Sequence, residues 1–261
     1  MVSVIIPHRN SFDSLEKLIL SIDKSNTQII IVDDNSEDKD RLYNISLKYP
    51  FCTFIRNKVC KGAGFCRNKG LELASHDWIL FADADDYFCS GAFDVFNEYL
   101  ETEYDVVYFN VTSYNVLLNK RGDRHKVYSN LVDNEDKDII YQHYVPWGKL
   151  IKRELIDKNK IFFDETFVSN DMMFSLFLGL RAKLINFDKR ILYTVTESAN
   201  SLTKVINKDT MLSRFLISKK HNEVLKKNGV YNYKINLLKY FYYSRSLGYK
   251  FLFKLLYYYV K

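Results

Sequence analysis

No CxxC pair occurs in this sequence. Its four cysteines, Cys52, Cys60, Cys66 and Cys89, fall in the first third with a spacing that matches no zinc pattern. A chain of 261 residues is not a small disulfide scaffold, so all four read as reduced structural thiols of a cytosolic protein. No run of about eighteen uncharged apolar residues appears, which excludes a multi-span membrane protein. The opening MVSVIIPHRN has neither a basic n-region nor a long apolar h-region, so a strand is expected there rather than a secretory signal. Proline and glycine are scarce, three and nine, and each one marks a specific backbone requirement. Segments combining low hydrophobicity with high net charge are few, which excludes a disordered chain.

What is present is apolar and aromatic: 47% and 16% of residues, enough for one large domain or two small lobes sharing a core. Charge is unevenly placed. From Ser201 to Lys261 there are 13 Lys/Arg against 2 Asp/Glu, so 13 − 2 = +11, and the preceding residues carry 25 − 30 = −5. An acidic body with a basic, aromatic tail predicts that the tail faces something anionic. In the tail, Leu252, Leu255, Leu256 and Tyr259 share one helical face, with Lys250, Lys254 and Lys261 on the other. Such a helix suits an anionic bilayer interface, or packs on the domain with its lysines in water. Nucleic acid is not an expected partner, since no binding motif accompanies the charge.

Short apolar strands alternate with helical stretches through the first hundred residues. Strands are predicted at Val2–Ile6, Gln28–Val32, Phe51–Ile55 and Trp78–Ala82, and helices at Ser11–Ser25, Asp38–Tyr49 and Ala63–Ser75. This rhythm predicts an α/β fold with a mostly parallel central sheet flanked by helices and a helical C-terminal extension. The expected divisions are 1–110, 111–205 and 206–261. The second half is less regular: a strand over Tyr104–Val111, a charged, loop-like stretch over Asn119–Asp138, a turn at Val145–Leu150 feeding a helix, a helix over Asn170–Arg181 and a short strand over Ile191–Val195.

In parallel sheets ligands bind beyond the carboxyl ends of the strands, where Pro7-His8-Arg9-Asn10, Asp33-Asp34 and Asp83 to Asp86 are expected to converge. Three carboxylates at the end of a buried strand are costly unless a cation occupies the site. Oxygen ligands suit Mg²⁺ or Mn²⁺, held by one or two carboxylates together with substrate phosphates; the bland alternative is a solvated turn capping the following helix. Asp33-Asp34-Asn35-Ser36 offers a carboxylate to base or ribose groups but is also ordinary turn chemistry. In Lys61-Gly62-Ala63-Gly64-Phe65-Cys66-Arg67, glycines at a helix start let backbone amides approach phosphate, with Arg67 adding charge.

The order of these motifs resembles glycosyltransferase family 2, inverting enzymes of GT-A fold. The resemblance rests on VSVIIPHRN, IIIVDDNSED, KGAGFCRNKGLELA and WILFADADDY, and more weakly on Trp147-Gly148-Lys149-Leu150 and Ser169-Asn170-Asp171-Met172-Met173-Phe174. It implies that Pro7 and Arg9 line the base pocket and that Asp34 pairs with a uracil ring. Asp83 and Asp85 match the DXD motif, with Asp85, helped by Asp86, holding Mn²⁺ or Mg²⁺ and ribose. Arg67 is placed near the nucleotide or its diphosphate, and Asp171 at the catalytic base. Two departures stand out: Asn170 replaces the usual Glu beside the base, and Arg9 stands where Tyr is frequent, although a guanidinium also stacks on a base.

Candidates for the acceptor side are Trp147, Lys149 and Asn170; an indole face suits a sugar ring, and a core position suits it equally. His143 reads as structural. Glu197, Ser198 and Ser201 occupy the region that closes over the donor in the family. The expected activity is metal-assisted, inverting transfer from a UDP-sugar to a hydroxyl of a glycan or polyprenyl-linked glycan of a bacterial surface polysaccharide. The expected place is the cytoplasm, peripheral on the inner face of the plasma membrane. A haloacid-dehalogenase-type phosphatase is excluded because its DxDxT belongs on the first strand, and a nucleotidyltransferase because no Gly-rich basic loop follows that strand. The rival from another class is a non-catalytic membrane-associated sensor or scaffold that binds sugar nucleotides.

Overall fold

Strand β1 (Val2–His8) carries the β-branched Val2, Val4, Ile5 and Ile6 and is buried on both faces, the pattern of a central parallel strand. It pairs in parallel with β2 (Thr27–Asp33) and with β4 (Trp78–Phe81), and β2 pairs in parallel with β3 (Cys52–Arg56). Between them run α1 (Phe12–Leu20), α2 (Lys39–Lys48) and α3 (Ala63–Leu73). The register sets His8 opposite Asp33 and Ile5 opposite Phe81, so the three strand ends open on the same edge. The computed structural model describes residues 1–197 and 205–260.

Beyond β4 the sheet becomes mixed. The second half begins with β5 (Tyr87–Phe88), α4 (Ala92–Asn97), β6 (Val106–Asn115) and β7 (Lys120–Arg121). It continues with α5 (Lys126–Asp133), α6 (Ile139–Gln142), β8 (Lys149–Lys152), α7 (Arg153–Asn159), α8 (Met172–Arg181) and β9 (Ile185–Glu197). The strand order is β3-β2-β1-β4-β8-β6-β9-β5, with β7 paired to β6. β8 runs antiparallel to both β4 and β6, while β6 and β9 are parallel. One hydrophobic core runs from Val2 to Val195 across both halves.

Three elements differ from those the sequence predicts. The stretch 119–138 is not all loop: α5 forms within it and buries Tyr128, Leu131 and Val132, an apolar stripe at helical spacing. The turn after Val145 feeds strand β8 before helix α7 begins. The last strand spans 13 residues, Ile185–Glu197, and passes through the charged Asp188-Lys189-Arg190 with a bulge against β6.

The tail forms α9 (Lys208–Lys227), α10 (Leu238–Ser244) and α11 (Tyr249–Val260). It has its own core of Met211, Phe215, Tyr240, Phe251 and Leu255, and α9 also packs Ile217 and Leu225 on Met173 and Leu176 of α8. The expected apolar face of the last helix is therefore split. Leu255 turns inward and Leu252 is half-buried, while Leu256 and Tyr259 stay exposed. Among the described residues, no helix is long and apolar enough to cross a membrane.

Candidate active site

A cavity of about 520 Å³ opens over the carboxyl ends of β1, β2 and β4. Its wall brings together Pro7, Arg9, Asp34, Arg67, Asp83, Asp85, Asp86, Asn170 and Asp171. All but the two acceptor candidates of the 147–149 turn are thus gathered from the predicted site.

The two adjacent aspartates at the end of β2 divide the work. Asp33 is buried and structural: His8 Nδ1 donates to it at 2.9 Å, and the backbone N–H and hydroxyl of Ser36 also bond it. His8 Nε2 accepts the Ser11 N–H at 3.2 Å, an arrangement that places the proton on Nδ1. Asp34 faces the cavity and accepts four hydrogen bonds, from the N–H groups of Lys61 (2.8 Å) and Gly62 (2.7 Å), Asn57 Nδ2 (3.1 Å) and the Cys60 thiol (3.0 Å). Burial pushes its pKa up, but these donors outweigh it and hold the carboxyl below the ordinary range. The amides of Lys61 and Gly62, expected to serve a phosphate, are therefore already engaged by Asp34.

Glycines in α3 serve packing. A Cβ on Gly64 would lie 2.2 Å from the Asp164 carbonyl oxygen, and one on Gly70 would lie 2.3 Å from Ile5 Cγ2. All four cysteine thiols are free. Cys60 lines the cavity, donating to Asp34 and accepting from Arg9 Nη1 at 3.0 Å, a placement that spacing did not indicate.

Arg67 ties the two halves of the site. From α3 its Nη1 donates to Asn170 Oδ1 at 2.8 Å and its Nη2 to Asp83 Oδ1 at 2.5 Å; its Nε is buried without a partner among the described residues. Asn170 is thus a brace on the cavity wall, with its Nδ2 donating to the Thr166 carbonyl at 3.3 Å. On the acidic turn, Asp85 is open to the cleft, and Asp86 is buried, accepting the Thr196 N–H at 2.7 Å and the Tyr193 hydroxyl. Tyr193 Oη in turn accepts the Asp83 N–H at 2.9 Å.

Desolvation raises the pKa of Asp85, Asp83 adds to it, and Arg124 pulls the other way. Asp86 is raised further by burial and by both neighbouring carboxylates. Such crowding is relieved by a cation, so the donor set fits Mg²⁺ or Mn²⁺ chemically. Among the described residues no three acidic, His or Cys side chains already converge as a closed cage. An open, carboxylate-poor shell is what Mg²⁺ accepts when substrate phosphates complete it.

Asp171 occupies the N-cap of α8, yet its side chain makes no capping bond. Freed from the helix end, the carboxylate lines the cavity. Burial raises its pKa; the charges of Arg67 and Lys149 oppose that, and Asp83 adds to it. The helix dipole alone predicts the opposite direction, so desolvation wins here.

Trp147 and Lys149 do not line the cavity, a correction to their expected acceptor role. Trp147 is 1% exposed and stacks against Tyr193 (ring centroids 6.1 Å apart), behind the acidic turn. Lys149 is buried under α8, donating to the Val145 carbonyl at 2.7 Å and Ser175 Oγ at 3.2 Å. Burial lowers its pKa to about 7, against the pull of Asp171. His143 packs on Tyr128 and Trp147, its pKa lowered to about 4 by burial, consistent with a structural role. Glu197 is described, whereas Ser198 and Ser201 lie outside the described residues. The cavity also takes in Arg124 and Arg214, which sequence reading missed because one sits in the charged stretch before α5 and the other in the tail.

The family model "Glycosyl transferase family 2" matches residues 3–160, which carry the strand ends and the acidic turn. The chain belongs to glycosyltransferase family 2. Among curated relatives of this family 2 enzyme is a cholesterol galactosyltransferase of Borreliella burgdorferi, 28% identical over 92% of this chain and 72% of that protein. Another is the poly(ribitol-phosphate) β-N-acetylglucosaminyltransferase TarP of Staphylococcus aureus, 27% identical over 88% of this chain and 73% of that one. The S. aureus TarS 1–349 structure in complex with UDP-GlcNAc superposes with a TM-score of 0.69 at 22% identity, covering 93% of this chain and 70% of its own. This likeness shows that the glycosyltransferase has the GT-A architecture.

Proposed function

We propose that this glycosyltransferase inverts the anomeric centre of a UDP-sugar as it moves the sugar to a hydroxyl of a glycan or lipid-linked glycan. Asp171 is the general base, and Asp85 and Asp86 are the carboxylates for Mn²⁺ or Mg²⁺. The observation that carries this reading is the convergence of Asp34, Asp85 and Asp171 on one cavity. UDP is favoured as the nucleotide because the TarS structure in this fold holds UDP-GlcNAc, and lipid or polymer acceptors because the two relatives act on cholesterol and on poly(ribitol-phosphate).

In this scheme Pro7, Arg9 and Asp34 hold the base, and Arg67 steadies the turn of Asp83. The acceptor oxygen attacks C1 from the face opposite the diphosphate. As the new C–O bond forms, the bond from C1 to the phosphate oxygen breaks and the diphosphate leaves with its electron pair. The acceptor proton passes to Asp171, whose raised pKa makes it a better base than an exposed aspartate. A bound divalent cation supplies charge neutralisation for the leaving oxygens. Asn170, on the wall beside Asp171, remains the acceptor-side candidate within reach of the cavity.

A panel of UDP-sugars with Mn²⁺ tests the donor. One of them is expected to raise the thermal midpoint by about 5–10 °C at about 100-fold excess over Kd, and to be slowly hydrolysed. Indifference to every member of the panel overturns the UDP reading.

The tail supports a peripheral placement on an anionic membrane, the inner face of the plasma membrane included. Tyr249, Phe253 and Tyr257 are 69%, 66% and 58% exposed and recur every fourth residue along α11, beside Lys250 and Lys254. Replacing the three rings with serine is expected to weaken sedimentation with phosphatidylserine-containing vesicles by about tenfold or more, with UDP protection unchanged. A wild-type protein that stays in the supernatant at low salt excludes the membrane role.

A further inference from the structure

Four arginines line the cavity: Arg9, Arg67, Arg124 and Arg214. Arg67 is paired with Asp83, Arg9 donates to Cys60, and Arg214 donates to the Val205 carbonyl at 2.8 Å. Arg124 is exposed to the cleft, and among the described residues its guanidinium makes no ion pair. Its backbone, by contrast, is firmly held. The Glu197 carboxylate accepts the N–H of Asp123 at 2.8 Å and of Arg124 at 2.7 Å, and the Ser113 hydroxyl at 2.7 Å.

That carboxylate fits only because residue 122 is glycine: a Cβ there would lie 2.1 Å from Glu197 Oε1. Behind it, Arg121 Nη2 lies 3.2 Å from His125 Nε2, and His125 Nδ1 lies 2.8 Å from Ser113 Oγ. With Arg121 donating, Nδ1 carries the ring proton, Ser113 Oγ accepts it, and the hydroxyl proton points at Glu197. The neighbour of Glu197 on β9, Thr196, donates its N–H to Asp86 of the acidic turn at 2.7 Å. Two consecutive residues at the end of β9 thus fix both sides of one gap, the acidic turn on one side and the Arg124 turn on the other.

We propose that Arg124 contacts the diphosphate of the nucleotide-sugar donor, opposite the acidic turn, and that Glu197 is the positioning residue that holds it there. This rests on the donor reading given above. A guanidinium that shares a cavity with three aspartates, and makes no ion pair among the described residues, gains most from an anion that also meets a cation on that turn. Arg124 and Asp85 line the same cavity, so one anion seated there can meet both sides of it. In the reaction Arg124 steadies negative charge as it grows on the leaving phosphate oxygens, without gaining or losing a proton.

The test compares UDP and uridine on the full chain with Mn²⁺, in wild type, Arg124→Ala, Arg124→Lys, Glu197→Ala and Glu197→Gln. Arg124→Ala is expected to weaken UDP by about 10- to 100-fold and leave uridine unchanged, with the unliganded thermal midpoint unmoved because the side chain is exposed. Arg124→Lys is expected to recover part of the loss. Glu197→Gln keeps a carbonyl oxygen for the two N–H groups and is expected to retain most UDP affinity, whereas Glu197→Ala follows Arg124→Ala. Adding Glu197→Ala to Arg124→Ala is expected to cost no further UDP affinity, as for two residues acting through one contact. Unchanged UDP affinity in Arg124→Ala overturns the proposal, including when only the acceptor KM rises, for then the arginine serves an acceptor anion. If wild type ignores UDP, the donor reading fails separately, and the same comparison made with GDP and guanosine decides the role of Arg124.

Discussion

Replacing Asp171 with asparagine is expected to lower kcat on the order of 10²–10⁴-fold while changing UDP affinity by no more than about twofold. The amide keeps the shape of the carboxylate and its place at the start of α8, where no capping bond depends on it. Stability should therefore be nearly that of wild type, and only the capacity to take the acceptor proton is lost. Turnover and UDP binding, measured on the same preparation, separate a catalyst from a protein that merely binds sugar nucleotides. Equal turnover in the two proteins removes Asp171 from the reaction. The pH profile carries a second signature. A base must be deprotonated to act, and burial raises the Asp171 pKa, so activity should fall on acidification at a higher pH than an exposed aspartate gives. That acidic limb is expected to vanish from the residual rate of the asparagine variant.

Asp85→Ala is expected to abolish the enhancement of UDP binding by Mn²⁺ or Mg²⁺ and to lower turnover by roughly 10²- to 10³-fold, the effect of losing several kcal/mol of charge stabilisation. Calorimetry with UDP, in Mn²⁺ and again in EDTA, measures it. The wild-type difference between the two conditions should disappear in the variant. Burial and neighbouring carboxylates raise the Asp85 pKa, so a proton competes with the cation and metal-dependent binding should weaken as pH falls. Removing one of three crowded negative charges also relieves repulsion, so the unliganded variant should be no less stable than wild type. Full-strength UDP binding without metal refutes the role given to Asp85.

Much of this site could be read from the chain because strand periodicity and carboxylate chemistry are local. The buried apolar runs of the strands ending at His8, Asp33 and Phe81 predict parallel strands, and parallel strands bring their ends together regardless of the loops between them. What stayed hidden depends on contacts between distant residues. Lys149 and Trp147 look like surface and ligand chemistry in a row of letters, yet β8 inserts between β4 and β6 and buries both. Arg124 was lost in a charged stretch because the residue that orders it, Glu197, lies 73 positions away. The division of roles between Asp33 and Asp34 follows from which side of the strand end each faces, something their adjacency could not tell.

In the base-pocket role proposed for it, Asp34 bears on selectivity. With two backbone amides, an asparagine and a thiol already donating, its lone pairs are full before any base arrives. An incoming ring N–H can reach it only by substitution, and the donor surrendered most cheaply is the sulfur of Cys60, the weakest of the four. Since one bond is broken for each one made, contact at this point adds little tightness. In that role its effect would be to refuse bases that bring a lone pair instead of a hydrogen, for those would set two acceptors face to face.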